Sequence, residues 1–313
     1  MRTGFVSHPD QERHDTGPGH PERAARHRAI VERVHESGLA AELELCAAVP
    51  IALAQLEPVH DARHARALQA AIEGGARLVD DGDTRVSAGS WRAALLAAGG
   101  AVLAAERVAA GAWSNAFVAA RPPGHHAERG RAQGFCVLNN VALAAAHLRT
   151  QLGLERVAIV DWDVHHGNGT QAIFAADPTV YYASLHQWPL YPGSGLAEER
   201  GVGPGLGATR NCPLAPGSGD REWLAALEAA VLPDLERFAP EFLLVSAGYD
   251  AHRDDPLGGT ALSTAGFGRL TRLLVDFARS RCGGRLVLVL EGGYDLGALA
   301  AGVEASIAEL RAG

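Results

Sequence analysis

The feature that most constrains this chain is a repeated seam, where an unbroken apolar run of strand length gives way to a polar, glycine-rich segment. The run at 116–120 (AFVAA) opens into RPPGHHAERG, that at 157–160 (VAIV) into DWDVHHGNG, and that at 180–183 (VYYA) into SLHQWPLYPGSG. The runs at 242–245 (FLLV) and 286–290 (LVLVL) open into SAGYDAHRDDPLGG and EGGYD. Continuous rather than alternating apolar runs suit strands buried on both faces, as in a parallel sheet. Residues 3–7 read as a further strand. Ligands of open α/β sheets bind beyond the carboxyl ends of the strands, so these polar segments should converge at one edge.

Between the runs lie alanine- and leucine-rich stretches at 21–37, 90–110, 139–151, 221–238, 264–281 and 295–312, which read as helices. Pro21 suits a first helical turn, and Gly38, Gly111 and Gly153 follow helix ends. No repeat, linker or low-complexity tract divides the 313 residues. The expected fold is therefore a single α/β domain over 1–313, a mostly parallel multi-stranded sheet between two helical layers. A chain this long buries enough surface to need no disulfide staples.

The net charge of -8, with basic residues scattered, argues against nucleic acid, whose phosphates want a concentrated basic face. It suits a cationic substrate weakly, by long-range attraction. Cys46, Cys136, Cys212 and Cys282 form no C-x-x-C pair and read as reduced thiols, mostly buried. The start of the chain has no apolar stretch of signal-peptide length. The longest apolar run, 93–105, falls short of the roughly 18–20 residues of a membrane span. A soluble, cytoplasmic protein with no membrane partner is expected.

Asp161, Asp163 and His165 form D-x-D-x-H directly after a strand, and if extended geometry persists all three share one face. Asp250 ends another strand. Two carboxylates and an imidazole can hold a divalent cation and leave a position open for water. The plainer alternative is that Asp161 and Asp163 cap the next helix. His125 and His126 suit proton transfer, because the imidazole pKa lies nearest neutrality. They could instead be metal ligands or satisfied loop residues, but vicinal side chains diverge from an extended backbone, so one ion should not take both. Tyr294, in EGGYD, could donate to an oxyanion or be an ordinary half-buried tyrosine.

Taken together, PPGHHA, GFCVLNN, VDWDVHHGNGTQ, SLHQWPLYPGSG, SAGYDAHRDDPLGG and LEGGYD resemble the motifs of the histone deacetylase superfamily. The wording is nearest to class II and to bacterial histone deacetylase-like amidohydrolases. The likeness runs from GHPERAARHRAI to EGGYD, nearly the whole chain. It implies the arginase-deacetylase fold and a Zn²⁺ held by Asp163, His165 and Asp250. Asp161 would then support His125 from behind rather than bind the ion. His126 would be general base and then acid, His125 a stabiliser of developing charge, and Tyr294 the oxyanion donor. Asn168 would stand behind His126.

The resemblance further implies a tunnel for an acyl-lysine chain, walled by Gly134, Phe135 and Tyr191, with Leu257 at its mouth. Structural K⁺ would use Asp161, Asp163, His165, Ser184 and Leu185, and a second site Phe174, Asp177 and Val180. Class IIa enzymes replace the residue at Tyr294 by histidine and lose ordinary activity, so Tyr294 speaks for a competent enzyme. Polyamine-specific eukaryotic relatives place a glutamate near Leu257, and the insertion that dimerises some bacterial acetylpolyamine enzymes has no counterpart in the short 80–90 segment.

The expected activity is thus hydrolysis of an acyl amide, with acyl-lysine in proteins or peptides as first substrate and acetylpolyamines or small acyl-amines as the alternative. An arginase-like ureohydrolase would need a carboxylate-richer two-metal site. A non-catalytic acyl-binding protein would have lost His126, Tyr294 or a ligand, and none is missing.

Overall fold

The apolar runs become strands of one sheet in the computed structural model, which describes residues 2–80 and 82–313. In chain order they are β1 (Thr3–Ser7), β2 (Glu44–Ala47), β3 (Asn115–Val118), β4 (Val157–Asp161), β5 (Val180–Gln187), β6 (Thr209–Leu214), β7 (Phe242–Ala247) and β8 (Leu286–Leu290). Every pairing is parallel, in the order β2-β1-β3-β8-β7-β4-β5-β6. The inner strands β3, β4, β5, β7 and β8 are buried along their whole length, as unbroken apolar runs require.

The helices are α1 (Ala24–Glu36), α2 (Ala62–Glu73), α3 (Ser90–Ala109), α4 (Asn140–Thr150), α5 (Asn168–Phe174), α6 (Asp220–Ala226), α7 (Leu232–Phe238), α8 (Thr264–Arg281) and α9 (Leu296–Ala312). On one side α3 packs against α2 and α4, and on the other α9 packs against α1 and α8. This is the expected sheet between two helical layers. Among the described residues no helix is long and apolar enough to cross a membrane.

Several local expectations need correction. Pro21 lies outside α1, which begins at Ala24 after an extended Arg23. The helix expected over 221–238 is broken by a π turn, Leu227–Val231, between α6 and α7. Pro233 lacks the N–H of a regular turn and crowds the preceding carbonyls, which a wider turn relieves. The edge strands β2 and β6 escaped the sequence reading because neither is a continuous apolar run. β2 alternates in burial, and β6 carries Pro213, which an edge tolerates. Helices α2 and α5 escaped too. Of the four free thiols only Cys136 and Cys282 are fully buried.

The strand order decides where chemistry can sit. From β3 the chain leaves a gap, builds β4, β5 and β6 outward, and returns to fill the gap with β7 and β8. The carboxyl ends of β3, β8, β7 and β4 therefore stand side by side, carrying 119–126, 291–295, 248–257 and 162–168. A cavity of about 640 Å³ lies elsewhere, with Trp113, Asn115, Arg279 and Arg285 at the opposite ends of β3 and β8.

Candidate active site and metal centre

At this edge Asp163, His165 and Asp250 each present one ligand atom, all within 4.8 Å of one another. His165 Nδ1 stands 3.0 Å from Asp163 Oδ1 and 3.2 Å from Asp250 Oδ2. The other carboxylate oxygens are already engaged. Gly292 N–H donates to Asp163 Oδ2 at 2.8 Å, and Val164 N–H donates to Asp250 Oδ1 at 2.9 Å. Backbone donors thus orient both carboxylates and leave one oxygen of each turned to the imidazole.

Glycine makes this crowding feasible. A Cβ on Gly248 would lie 2.2 Å from Asp163 Oδ2, and one on Gly292 would lie 2.0 Å from Asp250 Oδ2. The glycines of SAGYD and EGGYD are therefore close-approach positions. Burial opposes a charge on His165, but the two carboxylates lift its pKa to about 10, so the pocket between them favours positive charge. Burial and the charge of Asp163 push Asp250 up to about 7. Such a donor set, two carboxylates and an imidazole, fits a divalent ion such as zinc.

Asp161 is not part of this cluster. Strand β4 ends at Asp161, so the alternation that would have put Asp161, Asp163 and His165 on one face stops there. Its Oδ2 instead accepts from His125 Nδ1 and from the Tyr182 hydroxyl, each at 3.0 Å. His126 Nδ1 lies 2.8 Å from Asn168 Oδ1, and the Asn168 amide donates to Glu128 at 2.9 Å. Since Glu128 takes the amide N–H, Asn168 offers its oxygen to the ring. The proton then sits on Nδ1 and the Nε2 lone pair of His126 is free.

The vicinal rings do not diverge, as an extended backbone would make them. Their centroids are 4.0 Å apart at an interplanar angle of 42°. What separates them is charge. Burial disfavours a cationic His125, but Asp161 and Asp163 outweigh it and raise its pKa to about 10. Burial, followed by the charges of His125 and His165, drives His126 well below the ordinary imidazole value. One ring is an imidazolium and its neighbour a neutral base, a division of roles that suits acid–base chemistry.

The surrounding wall brings the remaining candidates together. The Tyr191 ring stands 5.1 Å from that of His126 and 6.2 Å from that of His165, nearly perpendicular to both, with 42 % of the residue exposed. Gly134 packs on His126, where a Cβ would lie 2.5 Å from the ring. Phe135 takes a positive φ of 67° and sets its ring 5.9 Å from Tyr294. Burial keeps the Tyr294 phenol protonated, and hence a donor, by raising its pKa well above 10. Leu257 is half-buried in the loop after β7, its N–H bonded to Asp255 at 3.0 Å.

Of the residues expected for monovalent cations, Asp161 pairs directly with Ser184 across β4 and β5, and Leu185 follows on the same strand. Phe174, Asp177 and Val180 lie along the turn from α5 into β5, where Asp177 N–H donates to the Phe174 carbonyl at 2.9 Å.

Sequence reasoning missed Arg26, Asp255 and Tyr182. Arg26 is fully buried, its guanidinium 4.9 Å from the Tyr294 ring centre and 2.5 Å from the carbonyls of Gly293 and Glu291. A signal existed. Arg26 shares the buried face of α1 with Ile30 and Val34 at a spacing of four, and a buried charge needs a partner.

Known proteins are similar to this chain over most of its length. A family model described as the histone deacetylase domain matches residues 20–310. A probable deacetylase of Archaeoglobus fulgidus is 42% identical over 95% of this chain and 82% of its own length. The histone deacetylase-like amidohydrolase of Pseudomonas aeruginosa is 40% identical over 88% of this chain and 73% of its own. Histone deacetylase 14 of Arabidopsis thaliana, a chloroplastic protein, is 38% identical over 93% and 73% respectively. The crystal structure of the HDA15 HD domain superposes with a TM-score of 0.95 at 37% identity, covering 100% of this chain and 88% of that one. With fold, motifs and relatives in agreement over almost every residue, the chain belongs to the histone deacetylase family and is an amide-hydrolysing deacetylase.

Proposed function

We propose that this deacetylase removes acetyl or other acyl groups from lysine side chains in proteins or peptides, with one zinc ion held by Asp163, His165 and Asp250. The observation that carries the hydrolytic reading is the neutral His126 beside the cationic His125, both next to the three-ligand cluster. When bound, the ion would polarise the acyl carbonyl and acidify a water molecule.

His126 takes the proton of the attacking water on its free Nε2. The ring, now protonated, delivers that proton to the amine nitrogen as the C–N bond breaks. The Tyr294 phenol donates to the carbonyl oxygen as negative charge gathers there. His125, paired with Asp161, adds fixed positive field without transferring a proton. K⁺ at the Asp161–Ser184 and Phe174–Val180 positions would stiffen β4 and β5 beneath these groups.

The acyl-lysine preference rests on Leu257, which offers no carboxylate to a distal ammonium, and on how little of the machinery is exposed. His126 is 4 % and Tyr294 8 % exposed, so a thin methylene chain reaches them more readily than a bulky group. One observation favours acetylpolyamines instead: Asp83 and Asp80 lie close enough to Tyr191 to act on its phenol. A panel of acyl-lysine peptides, acetylspermidine and acetylputrescine compared by kcat/KM decides. Measurable hydrolysis of acyl-lysine peptides is expected. Acetylspermidine preferred by several hundredfold over every such peptide would overturn the substrate assignment.

A further inference from the structure

We propose that Asp255 is a positioning residue for hydrolysis: its carboxylate fixes the backbone of Tyr294 and thereby sets where the phenol donates. The proposal rests on the reading of Tyr294 as oxyanion donor and extends it. Asp255 lies beyond Asp250 in the loop after β7 and is 6 % exposed. One oxygen, Oδ2, accepts from Tyr294 N–H at 2.6 Å and from Asp295 N–H at 3.1 Å. The other, Oδ1, accepts from Leu257 N–H at 3.0 Å. Hydrogen bonds from N–H groups to a charged carboxylate are short and strong.

The segment they hold has little stiffness of its own. Gly292 and Gly293 precede the tyrosine, and Gly293 sits at φ +120°, where no side chain restricts the backbone. Its geometry is set from outside. Arg26 takes the carbonyls of Glu291 and Gly293, Asp163 takes the N–H of Gly292, and Asp255 takes the N–H groups of Tyr294 and Asp295. Two carbonyls are drawn to a cation on α1, that of Gly292 to the Tyr249 N–H, and the N–H groups to carboxylates after β4 and β7. The Asp255 end of this arrangement sits directly at the residue whose phenol must reach the reacting oxygen. The phenol hydroxyl lies at the far tip of a long side chain, so a small backbone rotation becomes a large displacement of the donor.

Helix α9 does not depend on Asp255 for its start, because Asp295 caps it through Ala298 N–H at 2.8 Å. Loss of the Asp255 carboxylate therefore frees the N–H groups of Tyr294 and Asp295 while the Asp295 side chain still caps the helix. Asparagine is the near-isosteric disruption. Its amide oxygen can serve Tyr294 and Asp295 only if its NH₂ faces the Leu257 N–H, and the reverse orientation puts two donors against the Tyr294 end.

The test is a double-mutant cycle of Asp255→Asn with Tyr294→Phe, read as kcat, KM and zinc content on one acyl-lysine peptide. In the Tyr294 enzyme Asp255→Asn should lower kcat by about 10–10²-fold, the cost of a misplaced group, with KM and zinc nearly unchanged. In the Tyr294→Phe enzyme the same replacement should change kcat by less than about twofold, since no donor remains to misplace. An equal loss in both backgrounds, or wild-type kcat in Asp255→Asn, overturns the proposal. If Tyr294→Phe itself keeps wild-type kcat, the oxyanion reading fails and takes this proposal with it. A slow Tyr294→Phe with equal Asp255 effects sinks the proposal alone. Asp255→Glu keeps the charge but shifts it by a methylene, and covers an unstable Asn variant: its smaller loss must vanish in the Phe background, and persistence there overturns the proposal.

Discussion

Replacing His126 by alanine is expected to lower kcat by about 10²–10⁴-fold, the usual contribution of a general acid–base group. The expectation follows from how the ring is held. Asn168, itself fixed by Glu128, pins the proton to Nδ1 and leaves Nε2 as the base. Burial and the neighbouring charge of His125 keep the ring neutral to a pH below the ordinary imidazole pKa of about 6.5. The sign is definite: hydrolysis needs the neutral ring, so kcat/KM should hold down to that pH and fall only as the depressed pKa is crossed on acidification. The variant should lack this acid limb. A His126→Ala enzyme within tenfold of wild type, or one that keeps the limb, would place the base elsewhere.

Tyr294→Phe should retain the fold, the metal and near-normal substrate affinity while kcat falls by about 10²–10³-fold, the typical cost of one oxyanion donor. The hydroxyl contributes more in the transition state than in the bound substrate, so the loss belongs in kcat rather than in binding. Combined with His126→Ala the two losses should not multiply, because both residues serve one step. The readouts are kcat, a direct binding constant and zinc content for each variant. Wild-type kcat in Tyr294→Phe would make this tyrosine structural.

The inner strands and their polar extensions were legible because burial on both faces writes an unbroken apolar run. The edge strands were not, since Glu44–Ala47 has one open side and Thr209–Leu214 contains a proline. Asp161, Asp163, His165 and Asp250 all read as metal candidates from their places at strand ends, and only the family resemblance set Asp161 apart. The role of Asp161 could not come from spacing, because the strand stops at that residue and the next carboxylate turns to a different partner. The hydrogen-bond partners that distinguish the two histidines, Asp161 and Asn168, lie 36 and 42 residues along the chain. Arg26 and Asp255 were the least legible of all. They act on backbone groups of EGGYD, and side-chain patterning says nothing about which main-chain atoms a residue will hold.

The most direct test of the account is the metal dependence of hydrolysis. Chelated, metal-free protein would be titrated with Zn²⁺ while turnover of an acyl-lysine peptide is followed, in the wild type and in His165→Ala. The account predicts no turnover without metal, recovery that saturates at a single equivalent per chain, and a His165→Ala protein that neither retains zinc nor regains activity. Full turnover by rigorously metal-free wild-type protein would contradict it.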